Sequence, residues 1–90
     1  MYSYKTKGVC SKKIEVKLDE NNRIEDLKII GGCQGNLSGL ATMCKGQDAY
    51  EVIQKLKGIK CGSKSTSCPD QLSIALEEAL EIRKKSFSQN

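Results

Sequence analysis

No histidine and no tryptophan occur in the ninety residues of this chain, and its aromatic side chains amount to three tyrosines and one phenylalanine. The missing histidine excludes Cys–His nucleophile pairs, Ser–His–Asp triads and zinc sites of the mixed Cys/His kind. Any metal would have to be held by thiolate, carboxylate or backbone. Long apolar runs are missing too: none is long enough to span a bilayer, and the start, Met1-Tyr2-Ser3-Tyr4-Lys5, lacks the apolar stretch of a secretory signal. The expected compartment is therefore the cytoplasm, where thiols stay reduced. Nor is there a block of like charge. The net charge is +4 and the lysines are spread along the chain, as on a solvated face, which leaves a nucleic-acid surface open without indicating one.

What the chain does have is cysteine, five in all. An odd number disfavours a closed disulfide framework, and in a reducing compartment metal binding or thiol chemistry is the better account. Ninety residues make one domain, expected over 1–90 with 86–90 as a frayed tail. An apolar content of 38% gives it a thin core that a metal would help to staple.

The hydrophobic period changes along the chain. Tyr2 to Thr6 alternates, and so does Lys13 to Leu18, with Ile14, Val16 and Leu18 inward. Asp19 to Arg23 is a polar turn, and Ile24 to Ile30 reads as the returning strand. Leu37, Leu40, Ala41 and Cys44 then follow helical spacing, ended by Gly46. Asp48 caps a second helix carrying Ala49, Val52, Ile53 and Leu56, closed by Gly58. Pro69 opens the longest helix, with Leu72, Ala75, Leu76, Ala79 and Leu80 on one stripe. The expected class is α+β: a small antiparallel sheet of three strands, then three helices packed on one face. The edge strand near Tyr2 to Lys7 could pair with a second copy.

Cys10 falls between the first two strands, Cys33 follows Gly31-Gly32 ahead of the first helix, and Cys61 and Cys68 bracket the loop before the last one. Four cysteines thus sit at element ends, where loops can bring side chains to one point. Cys68, directly before Pro69, is expected at a helix N-cap. There the dipole and unpaired N–H groups favour the thiolate that a metal needs. Cys44 completes a core stripe and reads as a small apolar residue. There is no C-x₂-C knuckle, so spacing alone leaves two accounts of the other four: metal ligands, or reduced thiols in the core. Independent thiol catalysis finds no support, because neither a C-x-x-C motif nor a base beside any thiol is present. Asp70, the nearest carboxylate to Cys68, has a capping explanation in the first turn.

Thr66-Ser67-Cys68-Pro69-Asp70 resembles the motif of the TSCPD domain. Gly8-Val9-Cys10-Ser11, Gly31-Gly32-Cys33-Gln34-Gly35-Asn36 and Cys61-Gly62 precede it in that family's order. The resemblance implies a small module similar to one at the end of cobalamin-dependent ribonucleotide reductases. It further implies a metal, expected to be zinc, held by Cys10, Cys33, Cys61 and Cys68, with a reductase or another nucleotide-metabolism protein as partner. A fainter likeness is to iron–sulfur scaffolds of the NifU N-terminal type, whose three cluster cysteines would fall on Cys10, Cys33 and Cys68. It implies an iron–sulfur-scaffold-like fold and, as the alternative function, a cluster scaffold or carrier. Lys12 stands where those scaffolds have an aspartate, and their histidine-bearing motif before the third cysteine is missing. Four thiolates favour a closed site over one that hands its cargo on.

Overall fold

A computed structural model describes residues 2–9, 11–32, 34–60 and 66–88. The alternating segments form three strands, β1 (Tyr2–Lys5), β2 (Ser11–Leu18) and β3 (Ile24–Gly31). They make an antiparallel meander in the order β1-β2-β3, with Tyr4 opposite Ile14 and Val16 opposite Leu27. The helical stripes form α1 (Gln34–Cys44), α2 (Ala49–Leu56) and α3 (Cys68–Ser88). This is the α+β arrangement expected. Helix α1 packs on β3, α3 packs on β2 and β1, and α2 packs on α3.

Ile14, Val16, Ile24 and Leu27 from the sheet meet Ala49, Val52 and Ile53 of α2 and Leu72, Ala75 and Leu76 of α3 in one buried cluster. Leu18 and Leu40 lie partly buried against it. The other face of the sheet carries ion pairs between Lys13 and Glu15 (3.5 Å) and between Lys17 and Glu25 (3.1 Å). The expected division into a core face and a wet face therefore holds.

Strict alternation fails at two points. Ser11 pairs with Gly31 and Lys13 with Ile30, so Lys12 is an extra residue on β2; Lys17 pairs with Asp26 and Leu18 with Ile24, which makes Glu25 extra on β3. Each is a β-bulge, and the inward phase of the strand reverses on crossing it. Ile24 and Leu27, three residues apart, are both buried for that reason, and so are Ser11 and Ile14.

The turn between β2 and β3 is closed by the Asp19 carboxylate, which accepts from the N–H groups of Asn21 (2.8 Å) and Arg23 (2.9 Å). The Asp48 side chain accepts from Glu51 N–H at 3.1 Å, as an N-cap should. Gly46 and Gly58 take the positive φ values, 82° and 86°, that end helices. Helix α3 runs to Ser88, into the segment expected to fray. No helix among the described residues is long and apolar enough to cross a membrane.

Candidate functional site

The start of α3 is built by Ser67. Its hydroxyl accepts from the Asp70 N–H (3.2 Å) and donates to the Ile59 carbonyl (2.6 Å), while its own carbonyl accepts the first helical bond, from Gln71 N–H at 2.8 Å. Ser67 is therefore the N-cap, and Cys68 is the first helical residue. This corrects the expectation that Cys68 itself caps: a serine oxygen is a far better acceptor for the exposed N–H groups than sulfur, and it takes the place one residue earlier.

The remaining motif residues tie the helix start to its surroundings. The Asp70 carboxylate accepts from the Gly58 N–H at 2.8 Å and from the Thr66 hydroxyl. Those bonds, led by the one from Thr66 and assisted by Lys57, hold its carboxyl below the usual carboxylate range against a lesser opposing effect of burial. One side chain thus joins the end of α2 to the beginning of α3. Gln71, 4% exposed, accepts from Tyr4 OH and Lys7 N–H and donates to Thr66 Oγ1, each at 3.0 Å. Its amide is a buried hub between α3 and the chain leaving β1.

The sulfur of Cys68 is buried, and the hydroxyl of Ser11 lies 3.3 Å from it. Ser11 reaches that position because of the bulge at Lys12. Ser11 stands an odd number of places from Ile14, so in a strand without the phase reversal of the bulge it would face solvent. Opposite the bulge, Gly31 has a φ of 84°, and a Cβ there would come within 3.0 Å of Lys12 Cγ and 3.2 Å of Lys12 N. Glycine is required at this crossing.

Among the sequence-derived candidates, Cys68 has a described position; Cys10, Cys33 and Cys61 lie outside the described residues. Their neighbours in sequence are described. Ser11, next to Cys10, pairs with Gly31, two places before Cys33, and approaches Cys68; Ile59, two places before Cys61, is bonded to Ser67. Cys44 belongs to the core as expected: it is a free thiol, 6% exposed, and burial pushes its pKa up. Ser11 and Thr66 stand inside the motifs that carry the family resemblance, but the sequence assigns no bonding partner to either of them or to Gln71. These partners are 57 to 67 places away for Ser11 and Gln71, and no local pattern signals that. Glu78 is exposed and accepts from Tyr2 OH. Glu77 pairs with Lys57 at 3.5 Å.

Sheet, helices and motif together define a small α+β domain in which a cysteine-bearing motif forms the N-terminus of the longest helix and is bonded to the end of α2 and the start of β2. Over residues 2–80 the sequence matches the TSCPD domain family, and the chain belongs to that family. No curated protein and no solved structure matches it.

Proposed function

We propose that this domain is a metal-binding module in which Cys10, Cys33, Cys61 and Cys68 hold one zinc ion, and that it serves a protein partner in deoxyribonucleotide synthesis, a ribonucleotide reductase first of all. The observation that supports this is the set of hydrogen bonds around the start of α3. Residues one or two places from each of the other three cysteines are tied to Ser67, to Cys68, or to each other. The segments that carry the four cysteines are thus linked through their described neighbours, which supports a common site. The donor set fits as well. Four thiolates and no imidazole suit a closed tetrahedral zinc site. A zinc ion there would cross-link the segments that carry the four cysteines, and its binding energy would become folding energy.

The residues around Cys68 favour this structural role over catalysis. Asp70, the carboxylate nearest in sequence, is engaged by Gly58 and Thr66 and serves the helix cap. The chain has no histidine to pair with a thiol as a base. On this reading the module acts as a binding partner.

The Cys68→Ser variant tests the reading. It should lose stoichiometric zinc and unfold at lower temperature than the wild type, whereas Cys44→Ala should keep its zinc. A Cys68→Ser protein with full zinc content and an unchanged unfolding temperature would refute it.

A further inference from the structure

Ser11 is 3% exposed and Cys68 8% exposed, and the contact between the Ser11 hydroxyl and the Cys68 sulfur, at 3.3 Å, is made by two buried groups. A buried hydroxyl without a partner is costly, so the sequence must either supply one or use an apolar residue instead. Here the fold goes to some length to keep the pairing. A bulge at Lys12 turns Ser11 inward, and a glycine at positive φ in β3 makes room for that bulge. The Ser11 carbonyl is meanwhile bonded by the Thr6 hydroxyl, which fixes the strand end on its other side.

The direction of the bond follows from the chemistry. Between a thiol and a hydroxyl either atom can donate. A metal-bound thiolate has no proton to give, so the serine O–H must donate and the sulfur accept. A hydrogen bond of that kind draws charge from the sulfur and fixes its orientation. In a site of four thiolates around a divalent ion, both effects favour the bound state.

Resting on the zinc reading above, we infer that Ser11 is a positioning residue of the metal centre, its hydroxyl donating a hydrogen bond to the Cys68 thiolate that tunes the metal site. The sulfur would be held by two elements distant in sequence: by α3, which carries it, and by the bulged start of β2, which orients it.

The test substitutes cobalt(II) for zinc, because thiolate-to-cobalt charge-transfer bands report directly on the electron density at sulfur. Wild type, Ser11→Ala and Ser11→Thr are titrated with cobalt and then with zinc in competition against a chelator, and each is unfolded thermally with and without metal. Ser11→Ala should bind one equivalent with an affinity lower by about tenfold and with charge-transfer bands moved to lower energy. Ser11→Thr, which keeps the hydroxyl, should restore both. The inference is overturned if Ser11→Ala matches the wild type in affinity and band position. It is also overturned if Ser11→Ala weakens the metal-free and metal-bound proteins equally, or if Ser11→Thr behaves as Ser11→Ala, since either outcome assigns the effect to packing. A wild type that binds neither metal overturns the zinc reading along with this one.

Discussion

At Asp70 the helix dipole, a backbone N–H and a hydroxyl all act on one carboxylate. Asp70→Ala leaves the Gly58 N–H and the Thr66 hydroxyl without their acceptor, which should cost about 0.5–1.5 kcal/mol of stability. The shift in urea midpoint at constant slope measures it, and an unchanged midpoint would remove Asp70 from the set of residues that hold the motif. Tyr2 makes the opposite kind of bond. Its phenol donates to Glu78, and this, with some burial, pushes its pKa up from 10.0 to about 12. The folded value lies above the unfolded one, so the contribution of Tyr2 is complete below pH 10 and is lost as pH rises through 12. In an alkaline titration followed by phenolate absorbance, Tyr2 should ionise last, and Tyr2→Phe should delete that final step. Three tyrosines titrating together near their ordinary value would contradict the pairing.

Among the elements, the bulged crossing of β2 and β3 is the most demanding. Gly31→Ala places a Cβ against the Lys12 backbone at a φ of 84°, so either the bulge or the strand end must give way. The expected cost is about 1–3 kcal/mol, and for a domain of this size each kcal/mol lowers the unfolding temperature by about 4–8 °C. A calorimetric scan of Gly31→Ala that overlays the wild type would show that the crossing is not held as described. This is also where the sequence is least legible. The helices can be read because their information is local: Asp48 sits three places before the N–H it caps, and Leu72, Ala75, Leu76, Ala79 and Leu80 repeat on one face. The strands between bulges are equally plain at Ile14 and Val16. The bulges themselves are single residues, Lys12 and Glu25, whose types say nothing of a phase change. The helix start is displaced by one residue from its expected place because Ser67 and Cys68 are adjacent and only their hydrogen bonds decide which one caps. Ser11 and Gln71 acquire their roles from partners at the far end of the chain.

For the molecule as a whole, the apolar cluster joins one face of a three-stranded sheet to helices α2 and α3, and the TSCPD motif ties the loops at the start of α3 together by polar bonds. A core of this extent is thin, and the proposed metal would add to its stability by cross-linking the chain at that corner. The family fixes the kind of domain, and the arrangement of polar bonds argues for what the four cysteines do in it. The most direct measurement is the metal and acid-labile sulfide content of the full chain purified without oxygen, with a visible spectrum of the same sample. The account predicts about one zinc per chain, as a closed four-thiolate site requires, with no sulfide and no visible bands. Iron with sulfide and colour would contradict the zinc centre in favour of a cluster protein, and a metal-free chain with five reduced thiols would contradict the metal centre altogether.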